Sequence, residues 1–170
     1  MTNETTGARI ETSMHRQSDG RGRLRASSRF PTSVQDLWSA VSEPARLARW
    51  LCVVEGEPAE GATLRTRYTS GWEGECLVER CAPPHELVIS STEDDGTVSR
   101  LTARIEADGD GAILTIEDTG LTLADLPFHT AGWRVHLEDL HALLAHDQDS
   151  TDWRGRWEAL VPQYRDLPIE

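Results

Sequence analysis

The stretch HTAGWRVHLEDLHALLAH, residues 129–146, carries four histidines, one tryptophan and four leucines. Imidazoles can bind a metal, move a proton or complete a packed core, and spacing separates these uses. A zinc-type ion needs ring nitrogens within about 2.1 Å, which on a helix means ligands three or four residues apart. His129 and His136 are seven residues apart. That is roughly 10.5 Å along a helix axis. His136, His141 and His146 are each five apart, which turns them to different faces. No pair on this segment can chelate an ion unaided, and the chain contains neither HExxH nor CxxC. Cys52, Cys76 and Cys81 are odd in number; they read as buried thiols rather than as zinc ligands or a disulfide framework. Neither a metal nor a cofactor is expected.

What the spacing does fit is an amphipathic helix. With His129 at zero and 100° per residue, Trp133 falls at about +40°, His136 at about −20°, Leu140 at about +20° and Leu143 at about −40°. Arg134, Glu138, His141 and Ala145 fall on the far side. Two histidines therefore share the apolar face. They are either core histidines satisfied by hydrogen bonds or polar groups of a pocket between helix and sheet. Gly132 weakens a helix by ~1 kcal/mol relative to alanine, so a close backbone approach there is the expected reason for it.

The elements that must position this helix can be read in order. GRLRASSRF, residues 22–30, alternates Leu24, Ala26, Ser28 and Phe30 with polar residues, which is a half-buried strand. Thr32 or Ser33 can cap a helix carrying Val34, Leu37, Trp38 and Val41. Pro44 ends it and opens a second short helix with Leu47, Trp50 and Leu51 on its inner side. Short strands follow at 51–56, 61–70, 72–81, 86–91, 98–107 and 112–121. They are separated by turn signals such as APP, DDG and DGDG. Strands joined by hairpins make an antiparallel sheet, and helices at both ends make the fold class α+β. Residues 122–147 form the long helix after a leading loop. An acidic linker then leads to WRGRWEALVPQYRDL, where Trp153, Trp157, Leu160, Val161 and Tyr164 recur at helical spacing. This predicts a short amphipathic helix docked on the outside of the domain; a partner-binding or homodimer-forming helix is the alternative.

The 170 residues suit one domain. The expected division is a disordered N-terminal tail over 1–21, a domain over 22–147, and an acidic linker with the C-terminal helix over 148–170. The tail is inferred from its poverty in bulky apolar residues. It lacks the apolar run of a secretory signal, and no stretch approaches the roughly 20 apolar residues of a membrane span, so a soluble cytoplasmic protein is expected. Net charge is −12, and all 17 basic residues are arginine. An acidic surface disfavours phosphate backbones and anionic membranes; neither nucleic acid nor membrane is an expected partner.

Four segments taken together carry a family resemblance. VQDLWSAVSEPARLARWL resembles the opening helix pair of the SRPBCC (START-like) superfamily, in the group named for homologues of the heat-shock ATPase activator. Gly61 resembles the glycine opening the next strand, VERCAPPHELVIS the mid-domain strand–Pro-Pro–strand, and GLTLADLPFHTAGWRVHLEDLHALL the closing segment. The likeness covers about residues 22–146. It implies a helix-grip (START/Bet v-like) fold: a curved antiparallel sheet wrapped around a long C-terminal helix, two short helices after the first strand, and a deep cavity between sheet and helix. Members bind apolar small molecules such as lipids, sterols or polyketides, and some are cyclases or hydrolases. Most bacterial single-domain members have no assigned activity, and there is no shared catalytic motif to carry over. The first 20 residues are too few for the activator's additional N-terminal domain, so a co-chaperone-like or protein-interaction module, acting through the acidic surface and the Trp153–Tyr164 segment, is kept only as an alternative.

On this basis the candidate ligand-binding residues are Tyr68, Trp72, Asp118, His129, Trp133 and His136, with Trp50 near the mouth. Rings supply area and a few polar tips fix orientation. The partner would be an apolar or aromatic small molecule. An enzymatic alternative pairs His129 or His136 with Glu117 or Asp118 as acid and base. Those two carboxylates are adjacent in a strand, so only one can face the cavity. No catalytic residue is assigned. Each of these side chains also has an ordinary reading, as core or as an exposed edge group.

Overall fold

The structure is a computed structural model and describes residues 8–170. Eight strands form one antiparallel sheet: β1 (Ile10–Arg16), β2 (Gly22–Phe30), β3 (Cys52–Glu55), β4 (Thr63–Tyr68), β5 (Glu73–Ala82), β6 (Glu86–Thr92), β7 (Val98–Asp108) and β8 (Gly111–Leu121). Their spatial order is β1-β2-β8-β7-β6-β5-β4-β3. Helices α1 (Val34–Ser42) and α2 (Pro44–Trp50) follow β2, α3 (Leu126–His146) follows β8, and α4 (Trp153–Arg165) closes the chain.

Local chemistry explains the boundaries. The Ser33 hydroxyl caps α1 by accepting from the Asp36 N–H, and Pro44 occupies the first turn of α2. The inner face of β2 presents Leu24, Ala26 and Phe30, all fully buried. These meet Leu114 and Ile116 of β8 and Leu126, Leu137 and Leu140 of α3 in one core.

The sheet curls around α3, which touches both of its ends. At one end the His141 ring stacks on Phe30 of β2, with centroids 4.0 Å apart. At the other end His136 meets the Tyr68 ring of β4 at 6.3 Å. β2 and β4 are five positions apart in the strand order, roughly 24 Å across a flat sheet. One helix of about 10–12 Å diameter reaches both only if the sheet bends. This is the helix-grip arrangement.

Three expectations are corrected. Residues 1–7 of the supposed tail lie outside the described residues, but Ile10–Arg16 is strand β1, paired with β2 from Ile10↔Ser28 to Arg16↔Gly22. Its other edge is occupied too: the Glu170 N–H donates to the Met14 carbonyl and the Arg16 N–H to the Glu170 carbonyl, which covers an edge that would otherwise be open. Second, His141 is half-buried rather than exposed. Its Nε2 lies 2.7 Å from the Ser28 hydroxyl, whose own proton is given to the Arg9 carbonyl, so the imidazole is the donor. Third, Trp50 is not at a mouth. It is 1% exposed, with its indole N–H donating to the Ala40 carbonyl.

Candidate functional site

Between the sheet, α3 and α4 lies a cavity of about 690 Å³. Its walls include all six candidates: Tyr68, Trp72, Asp118, His129, Trp133 and His136. Four elements bring them there. Tyr68 ends β4, and Trp72 follows it in the turn to β5, with the two rings edge to face at 5.6 Å. Asp118 lies on β8 opposite Leu24 of β2 and Leu101 of β7, on the concave side, and Glu117 points the other way. Two residues later Gly120 adopts φ +80°, and a Cβ there would lie 2.3 Å from the Val98 carbonyl oxygen. Only glycine fits this bend, which sits where the β2–β8 register shifts. His129, Trp133 and His136 come from successive turns of α3.

The fourth wall was not foreseen in this role. Trp153, Arg154 and Trp157 of α4 line the same cavity, so α4 closes the chamber rather than merely bracing its outside. The spacing W-x3-W was visible in the sequence, but the face it covers was not. Trp153 lies over Gly132, where a Cβ would stand 3.4 Å from its ring, an ordinary contact, so the packing does not require the glycine. The Trp157 indole N–H donates to the Phe128 carbonyl, and the two α4 indoles stack at 5.8 Å. Asp139 on α3 binds Arg156 of α4 at 2.5 Å and Ser150 of the linker at 2.6 Å. Arg49 of α2 holds Asp147 and Asp149 of the linker. The acidic linker is thus tied down by Arg49 and, through Ser150, by Asp139.

A smaller apolar chamber of about 70 Å³ adjoins the large one. Tyr68, Ile89, Leu101 and Trp133 line both. Trp50, Cys52 and Cys76 line the small one, where burial pushes the Cys52 thiol up to about 12. Cys52 and Cys76 are free and buried, and Cys81 is free and half-buried.

Burial shifts the Asp118, His136 and Tyr68 side chains of the large chamber towards their uncharged forms. Burial raises the Asp118 carboxyl to about 7, against the opposing pull of the Trp133 side chain and the Thr119 backbone N–H. Burial lowers His136 to about 3, countered by the Trp50 backbone and reinforced by Arg156. His136 is 4% exposed, and its Nδ1 has no hydrogen-bond partner among the described residues. Its ring sits among Tyr68, Trp133 at 5.5 Å and Trp153 at 5.2 Å. His129 stands at the mouth, open to solvent; the surrounding protein still lowers its pKa, with Asp125 and Glu93 acting the other way. The Tyr68 hydroxyl is pushed well above its ordinary value by burial. Among the described residues no three histidine, cysteine or acidic side chains converge as metal ligands, and no helix is long and apolar enough to cross a membrane.

Residues 31–145 match the family described as Activator of Hsp90 ATPase homolog 1-like protein, and the chain belongs to that family of SRPBCC-type domains. The matched segment holds α1 to α3 but neither β1 nor α4. Among curated proteins no sequence matches. Solved structures with the same fold include CalU16 from Micromonospora echinospora. In solution it is 22% identical with a TM-score of 0.73, covering 95% of this chain and 98% of CalU16. Its crystal form gives 22%, 0.69, 94% and 99%. DynU16, a protein of the dynemicin biosynthetic locus, is 21% identical with a TM-score of 0.67, covering 74% of this chain and 48% of its own.

Proposed function

We propose that the protein binds an apolar, ring-bearing small molecule in the chamber between the sheet, α3 and α4. The observation that carries this reading is a single cavity of about 690 Å³ lined by Tyr68, Trp72, Phe128, Trp133, Trp153 and Trp157. Small-molecule sites span about 300–1,000 Å³ and combine aromatic walls with a few polar groups. Here those groups are Asp118, His129 and His136. That DynU16 belongs to a biosynthetic locus agrees with a small-molecule role for the fold. Native mass spectrometry and thermal-shift screening against polycyclic and apolar metabolites test the proposal. Saturable adducts and raised Tm are expected; a protein that takes up nothing from such a panel contradicts it.

Asp118 favours a second reading, an enzyme of the cyclase or hydrolase kind. A carboxyl near 7 can hold a proton and release it at neutral pH. His136, lowered to about 3, is a poor base by the same standard. Turnover that survives Asp118→Asn would exclude this version.

A further inference from the structure

We infer that the ligand of this chamber carries a protonated amine, held against Asp118 beside the Trp133 indole. The inference rests on the small-molecule reading above and adds the charge of the guest. Asp118 makes no ion pair among the described residues, although it is set into the chamber wall between Leu24 and Leu101 and against Trp133. A carboxylate in such a place is costly to ionise unless a cation joins it. Among the described residues the lining holds two guanidiniums, and neither pairs with Asp118: Arg21 donates to the Thr97 hydroxyl and Arg154 pairs with Glu158.

The rim itself leans negative. Glu93, Asp95 and Asp125 border the opening against those two guanidiniums. Inside, His136 is neutral and so does not repel a cation. Its unpartnered, buried Nδ1 is an independent sign of incomplete polar pairing beside the same Trp133 ring. The walls suit a cation as well as a ring. Indole and phenol faces attract an ammonium group, by about 0.5–2 kcal/mol according to its desolvation. An anionic guest would meet the Asp118 carboxylate and the acidic rim.

Three probes of one shape separate the possibilities: 1-naphthylmethylamine, 1-naphthylmethanol and 1-naphthoate, titrated calorimetrically into the full chain at about pH 8. The amine is expected to bind at least about tenfold more tightly than the alcohol, and the carboxylate most weakly. In Asp118→Asn the preference for the amine is expected to vanish while the alcohol still binds. Circular dichroism checks that the variant folds, and the wild-type series decides the matter if it does not. Equal binding of all three probes, or an amine preference that survives Asp118→Asn, overturns the inference and leaves the small-molecule reading standing. Binding of none overturns both.

Discussion

Asp139 of α3 and Arg156 of α4 form an ion pair that is buried on one side only: the Asp139 side chain is 4% exposed and that of Arg156 30%. The pair fastens the wall of the chamber to the helix that the sheet grips. Removing the arginine leaves a buried carboxylate with Ser150 as its remaining partner. Arg156→Met is expected to cost about 1–3 kcal/mol, less than a fully buried pair because the guanidinium is partly solvated. Urea unfolding measures the loss. Hydrogen exchange should show it concentrated in α4.

Asp118 gives stability a dependence on pH. Its folded pKa, about 7, lies above the ordinary 3.8. The folded state therefore holds a proton that the unfolded state has lost between those values. Stability from this group is fully present below about 4, falls as pH rises, and levels off above about 7. The fall is on the order of 2–4 kcal/mol. Asp118→Asn should remove it, and a carboxyl carbon titrating near neutrality by NMR would identify the group directly.

His136 and His141 act in the opposite sense. Burial lowers them to about 3 and about 4. In the unfolded chain they take up protons below about 6.5, so stability is lost as pH falls from there towards the folded values. His136→Leu keeps the volume and should flatten the acid limb of a Tm-against-pH curve. An unchanged acid limb would mean that His136 is not held neutral.

Gly132 tests how closely α4 is seated. A Cβ at this position stands 3.4 Å from the Trp153 ring, which is ordinary contact. Gly132→Ala should be neutral or stabilising by up to about 1 kcal/mol through helix propensity. Gly132→Leu must push Trp153 outward, and is expected to cost about 1–3 kcal/mol by overpacking. Paired melts of the two variants provide the comparison.

Much of this was legible in the sequence for physical reasons that can be named. Period-two alternation put Asp118 and Glu117 on opposite faces, and helical period put His129, Trp133 and His136 on one face. Local patterning fixes such relations before any tertiary contact forms. β1 was not legible, because its inward residues are Ile10, Thr12 and Met14, and its pairing depends on β2 and on Glu170 at the far end of the chain. His141 was misplaced because a wheel assumes one buried face. α3 is enclosed by β1 and β2 on one flank and α4 on another, so its buried arc is wider. The cavity role of α4 needed the placement of one helix over Gly132, which no local pattern encodes.

The most direct test of the chamber is a titration of ¹⁵N-labelled protein with 1-naphthylmethanol, reading the indole N–H resonances of its six tryptophans. Trp72, Trp133, Trp153 and Trp157 line the large chamber, whereas Trp38 lines neither. The expected result is a saturable shift of those four indoles with Trp38 unmoved. Shifts absent from Trp133 and Trp153, or equal at Trp38, would contradict a binding chamber between sheet, α3 and α4.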